Sequence, residues 1–117
     1  MEQMKLGELI TILKRHEQDK FVRYDFVHFT PDGIDSYRGY YEQLAIGYSQ
    51  KEIKVAQLLD LLKQAVGRKF EGYKGGQYAM HENTPLWVSN RSEAGGTAIV
   101  GVRDDQWCIT LITASID

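Results

Sequence analysis

Seven consecutive residues, Asp35-Ser36-Tyr37-Arg38-Gly39-Tyr40-Tyr41, bring together three tyrosines, an arginine, a carboxylate and a glycine. Tyrosine offers a π face and a hydroxyl, and arginine a planar fork of donors. Glycine allows a ligand to approach the backbone. Together they suit a surface that stacks on flat rings and grips anions. Cross-strand aromatic pairing that only stabilises a sheet would use the same tyrosines. It has no need of the arginine between them.

Three further places carry compatible chemistry. Gly72-Tyr73-Lys74-Gly75-Gly76 could set backbone N–H groups and Lys74 near an anion. It lacks the spacing of a nucleotide-binding P-loop and precedes a strand rather than a helix. A plain glycine-rich turn is the alternative. Trp87-Val88-Ser89-Asn90-Arg91 ends a short strand with an amide suited to an adenine edge and a guanidinium suited to phosphate. A loop-capping asparagine and a solvated arginine would look the same. Arg103 lies at a turn between two strands. The candidate ligand-binding residues are therefore Tyr37, Arg38, Tyr40, Tyr41, Lys74, Trp87, Asn90, Arg91 and Arg103.

Catalytic and metal chemistry find no comparable pattern. His16, His28 and His81 lack metal-ligand spacing and have no cysteine pair to join. Ser36 and Ser89 sit in no nucleophile elbow. Cys108, the single cysteine, lies in the apolar run Trp107-Cys108-Ile109 and reads as a buried small hydrophobe. It cannot form an intrachain disulfide and fits a reducing compartment. Asp32, Asp35 and Glu42 leave carboxylate acid–base work open, as on any surface. The expectation is a protein that is not an enzyme and has no cofactor and no metal.

The elements that must position these residues follow from periodicity. Leu6, Leu9, Ile10 and Leu13 form one stripe and predict a helix over residues 3–17, with Lys14, Arg15 and His16 near its C-terminal end. Residues 20–29 are strand-like, Thr30-Pro31-Asp32-Gly33 reads as a turn, and residues 36–48 read as a second strand pairing with the first. Val55, Leu58, Leu59, Leu62 and Val66 predict a helix over 53–66 that stops at Gly67. Short strands follow at 77–80 and 86–89, then a flexible loop at 91–96. The chain ends in a hairpin of 97–102 and 107–113, turning at Arg103-Asp104-Asp105-Gln106. The fold class expected is α+β, an antiparallel sheet with two amphipathic helices on one face in the order α-β-β-α-β-β-β-β. The helices echo each other, Met4-Lys5-Leu6-Gly7-Glu8-Leu9-Ile10 against Ile53-Lys54-Val55-Ala56-Gln57-Leu58-Leu59, and each precedes tyrosine- and glycine-containing extended sequence and a Thr-Pro pair. This fits a decayed α-β-β repeat, or two amphipathic helices alike by chance.

The 117 residues, 43% hydrophobic, suit one domain spanning 1–117. A net charge of −2 argues against non-specific binding to duplex nucleic acid. The N-terminus shows no signal-peptide pattern and no apolar run nears the ~18 residues of a membrane span. A cytoplasmic protein with no membrane partner is expected. Aromatic strand faces not covered by two helices predict a homo-oligomer, a dimer or a multiple of one.

The string Asp-Ser-Tyr-Arg-Gly-Tyr-Tyr-x-x-Leu-Ala-x-Gly-Tyr at 35–48, with Gly-Tyr-Lys-Gly-Gly at 72–76, Thr-Pro-x-Trp-Val at 84–88 and Gly-Thr-Ala-Ile-Val at 96–100, resembles a family of small proteins encoded in phage and prophage genomes. The resemblance spans residues 4 to 113. Such proteins often resemble counter-defence factors, including sponges that sequester nucleotide immune signals such as cyclic oligonucleotides or cyclic ADP-ribose derivatives. By that analogy the expected activity is sequestration of an anionic, nucleotide-like small molecule without turnover, in the host cytoplasm. The alternatives are a protein-binding inhibitor or adaptor using the same Tyr/Arg surface and a small carboxylate-dependent hydrolase.

Overall fold

The computed structural model describes residues 2–26, 29–37, 42–71, 75–89 and 96–116. Its elements run α1 (Leu6–Lys14), β1 (Phe21–Tyr24), β2 (Thr30–Ser36), β3 (Leu44–Ser49), β4 (Ile53–Lys54), α2 (Val55–Ala65), β5 (Lys69–Glu71), β6 (Gln77–Ala79), β7 (Leu86–Val88), β8 (Thr97–Asp105) and β9 (Cys108–Ser115). The fold is α+β, as the periodicity predicts.

Both helices form where the apolar stripes lie. Leu6, Leu9, Ile10 and Leu13 of α1 are buried, as are Val55, Leu58, Leu59, Leu62 and Ala65 of α2. Each starts with the same device. The N–H of Lys5 donates to Glu8 Oε1 at 2.9 Å, and that of Lys54 to Gln57 Oε1 at 2.8 Å. This is the backward reach of a capping box. Beyond α2, Gly67 takes φ +79°, the left-handed conformation that ends helices. Both apolar stripes join Val22, Tyr24, Leu44, Ile46, Leu86, Ile99, Ile109 and Leu111 in one core.

Seven of the described strands form one sheet in the order β2-β3-β7-β8-β9-β1-β4, and β5 and β6 pair separately. The expected antiparallel sheet is corrected at two places, because β1 runs parallel to β9 and β3 parallel to β7. The expected pairing of 20–29 with 36–48 is also replaced. Residues 30–36 form the partner of β3, while β1 lies between β9 and β4. Thr30-Pro31-Asp32-Gly33 is no turn. It opens β2, where the register shifts between Pro31 and Ile34 and Gly33 takes φ +79°. Proline and glycine signal a bulge as readily as a reversal. The last hairpin turns later than expected, at Gln106 and Trp107, leaving Arg103 inside β8.

The repeat is present, as α-β-β-β rather than α-β-β. Leu6 and Gly7 N–H donate to the carbonyls of Thr84 and Glu82, both at 2.8 Å, and Val55 and Ala56 N–H donate to those of Lys20 and Gln18 at 2.9 and 3.0 Å. These are the positions the helix alignment equates. Lys5 bridges Pro85 as Lys54 pairs with Phe21. The parallel pair Val22–Ile109 matches Leu86–Leu44. Asp25 N–H donates to Leu111 O as Ser89 N–H does to Ile46 O, each at 3.0 Å. The β8 bulge, between Ile99 and Gly101, falls where the β2 bulge does. One unit is therefore α1-β1-β2-β3 and the other α2-β7-β8-β9, with β5 and β6 inserted in the second. The two Thr-Pro pairs are not equivalent: one opens β2 and the other precedes β7.

The sheet curls until β1 meets β2. Tyr24 N–H donates to Phe29 O at 2.9 Å. The Tyr24 hydroxyl, on a side chain 1% exposed, lies 3.1 Å from Ile46 O and 2.9 Å from Gly47 O of β3. Burial pushes its phenol well above the usual tyrosine range. Gly47 leaves room for the β2 bulge opposite it, since a Cβ there would overlap Asp32 O. The radius of gyration is 13.3 Å.

Tyr24→Phe removes the donor to Gly47 O, while Ile46 O keeps the N–H of Ser89. Urea unfolding should show a loss of about 1–2 kcal/mol with an unchanged m-value. An unchanged midpoint would show that the hydroxyl does not hold β1 to β3.

Candidate functional site

At the end of β2 the chain passes directly into Tyr37. Its N–H donates to Gln43 O at 2.7 Å, which holds it against the start of β3. Its ring lies 4.3 Å from that of Trp87, centroid to centroid, with 5° between the planes. The indole Nε1–H of Trp87 donates to Gln43 Oε1. Gln43 thus positions both rings, one through its backbone and the other through its side chain. The neighbours of Trp87 in register are Ala45 on β3 and Ala98 on β8, both buried and both small. Their small side chains leave room for the indole between them.

Gly96 closes the arrangement from the other side. It takes φ +117°, and a Cβ there would overlap the Tyr37 hydroxyl and come within 2.8 Å of Trp87 Cζ3. Its carbonyl accepts from Ile116 N–H at 2.9 Å, which fixes the backbone over the ring edges. Beside the stack, Ser36 Oγ is buried and has no hydrogen-bond partner among the described residues.

Of the nine residues predicted from the sequence, the structure therefore brings Tyr37 and Trp87 into direct contact. Arg38, Tyr40 and Tyr41 lie outside the described residues, in the segment joining Tyr37 to Glu42. Asn90 and Arg91 also lie outside them, in the segment joining Ser89 to Gly96. Both segments begin and end beside the stack, one between Tyr37 and Gln43 and the other between Trp87 and Gly96. Lys74 is outside the described residues too, between β5 and β6. Arg103 is placed apart. Five residues along β8 from Ala98, it sits about 17 Å from the Trp87 level. Its guanidinium pairs with Asp105 at 2.8 Å and, with the Thr110 hydroxyl, holds the Asp105 carboxyl below the usual carboxylate range. Cys108 corrects its expected burial: it is half-exposed, with Sγ 3.8 Å from Thr110 Oγ1.

Sequence reasoning missed Gln43 and Gly96. Gln43 reads as one polar position among many on a strand. Gly96 follows Gly95 at the end of a stretch that reads as a flexible loop. The alternation of residues 36–48 gives no sign that Gln43 reaches Trp87, since β7 joins β3 through a parallel pairing far apart in the chain.

The geometry limits what the pair can do. Rings 4.3 Å apart are in contact, so no ligand ring enters between them. Tyr37 is 5% exposed and Trp87 is half-buried, so the surface that the pair leaves exposed belongs mainly to Trp87. No group of three His, Cys, Asp or Glu residues among the described ones is arranged to hold a metal ion. No helix is long and apolar enough to cross a membrane, among the described residues. No protein-family model, curated protein or solved structure matches this chain.

Gly96→Ala should separate the rings or displace the chain. The expected outcome is a loss of near-ultraviolet circular dichroism with about 1–3 kcal/mol of destabilisation. Retention of the native spectrum and midpoint would show that this glycine does not set the stack.

Proposed function

We propose that the protein binds an anionic small molecule with a flat ring, nucleotide-like in character, and holds it unchanged. The observation that carries this reading is the Tyr37–Trp87 stack, fixed by Gln43 and standing where the segments bearing Arg38, Tyr40, Tyr41, Asn90 and Arg91 begin and end. A preset aromatic platform lowers the ordering cost of binding. Stacking of one base on such a platform contributes about 1–3 kcal/mol, and each charge-assisted contact to phosphate about 1.5–3 kcal/mol. Sequestration needs tight binding and no turnover. The resemblance to phage-encoded proteins extends this reading to a counter-defence sponge for a cyclic nucleotide or an ADP-ribose derivative, acting in the host cytoplasm.

A homo-oligomer belongs to the same proposal. Trp107 is 80% exposed at the β8–β9 turn, and Phe21, which pairs with Cys108 next to it, is 40% exposed. Tryptophan in such a position is the commonest type of interface anchor. The same observation favours the second reading, a protein-binding inhibitor or adaptor.

A thermal-shift panel of cyclic nucleotides and ADP-ribose derivatives tests the proposal. A ligand at a hundredfold excess over Kd adds about 2.7 kcal/mol, or roughly 10 °C or more for a domain of this size. Arg38→Ala should abolish the shift while leaving the unliganded midpoint nearly unchanged. Chromatography of the denatured complex should return the ligand intact. New product peaks would establish an enzyme. A panel without any shift would transfer the case to the protein-binding reading.

A further inference from the structure

The repeat assigns equivalents to Tyr37, Trp87 and Gln43 of the aromatic site. Matching β1 to β7, β2 to β8 and β3 to β9 by their pairings sets Arg23 opposite Trp87, Asp105 opposite Tyr37, Arg103 opposite Asp35, Thr110 opposite Ala45 and Cys108 opposite Gln43. The positions of the two stacked rings are thus held by Arg23 and Asp105 at the second junction between the units, with Arg103 two residues before Asp105 on β8. Arg23, Thr110 and Arg103 lie side by side across β1, β9 and β8. The two arginines therefore flank one strand, about 10 Å apart at their Cα atoms.

The hydrogen bonds within this cluster leave donors over. Thr110 is fully buried beneath it and donates its hydroxyl proton to Asp105 Oδ2 at 2.5 Å. Arg23 reaches Thr110 Oγ1 through Nε alone, at 3.4 Å. Arg103 meets both Asp105 oxygens through Nε alone, at 2.8 and 2.9 Å. The terminal amino groups of both guanidiniums make no hydrogen bond to any described residue. Arg23 also forms no ion pair among the described residues, and the nearby Asp25 carboxylate is taken up by the N–H and hydroxyl of Thr113 at 3.0 and 2.6 Å.

We propose that Arg23, at the position equivalent to Trp87, and Arg103, at that of Asp35, form a second binding site for a small oxyanion such as a phosphoryl group. Two planar forks with outward donors match the oxygens of phosphate. Asp105 already supplies a carboxylate to this cluster, paired with Arg103 and bonded by Thr110. An entering anion competes with it, so affinity is held down by Asp105 rather than by a lack of donors. The site is separate from the aromatic one, on the strands β8, β9 and β1 rather than β7, β3 and β2, and it gives Arg103 a role that its distance from Trp87 denies it there.

The sign of the Asp105 effect makes the test decisive. Inorganic phosphate is titrated into the protein while the arginine Nε–Hε signals are followed by NMR, with sodium chloride at matched ionic strength and acetate as separate arms. Saturable shifts of Arg23 and Arg103 are expected with phosphate and not with chloride. Asp105→Asn, which keeps an acceptor for Thr110 but removes the charge, should tighten binding about tenfold, and Arg23→Gln should weaken it by at least about as much. Arg103→Lys retains the charge and loses the fork, and should also weaken it. Saturation by acetate with equal affinity would assign the site to carboxylates and overturn the phosphoryl assignment. Shifts that do not saturate, or that survive Arg23→Gln, would overturn the site altogether, as would weaker binding in Asp105→Asn.

Discussion

The two halves of this fold complete each other's sheets. Met4 and Lys5, which lead into α1, pair with the strand of the other unit at Leu86 and Pro85. Ile53 and Lys54, which lead into α2, pair with β1 of the first unit. The parallel pairs β1–β9 and β3–β7 cross between units in the same manner. Neither half holds a complete set of backbone partners, and an unpaired backbone group in a core is costly. The helix starts follow from this exchange, since the N–H groups of Leu6 and Val55 are taken up by carbonyls of Thr84 and Lys20. Such pairings join residues far apart in the chain, so their loop-closure cost falls before the contacts form.

The exchange also explains how the aromatic site is assembled. Tyr37 follows a strand of the first unit and Trp87 lies on the opening strand of the second. They meet because β7 runs beside β3, with Ala45 opposite Trp87. Gln43, at the foot of β3, reaches both. The rings are therefore held from three elements and from Gly96. At the second junction between the units, where β1 runs beside β9, the corresponding region holds Arg23, Arg103, Asp105 and Thr110, linked by hydrogen bonds instead of ring contact. One backbone frame thus supports two kinds of chemistry at equivalent positions.

The sequence made the helices legible because their stripes are clean and their starts carry Glu8 and Gln57 three residues past Lys5 and Lys54. The final hairpin was legible too, apart from its turn. The parallel pairings were not, since alternation within a strand says nothing about which strand lies beside it. Pro31 and Gly33 read as a turn because the same residues serve bulges and reversals. Tyr37 and Trp87 stood out as ring-bearing residues near cations, but their contact was hidden in the pairing of β3 with β7. Arg103 looked like a loop cation because Asp104, Asp105 and Gln106 follow it. The strand continues through those residues, and its guanidinium turns to Asp105 instead.

The central claim is that Trp87 presents a face on which a ligand ring stacks. The chain has two tryptophans, and Trp107, at the β8–β9 turn, reports on nothing in that site. A Trp107→Phe variant therefore makes Trp87 the sole indole fluorophore. Its emission should be quenched saturably when a cyclic dinucleotide or an ADP-ribose derivative is added, and ribose phosphate, which lacks the base, should leave it unchanged. Emission unaffected by every base-bearing ligand, in protein whose near-ultraviolet spectrum shows the stack intact, would contradict the account.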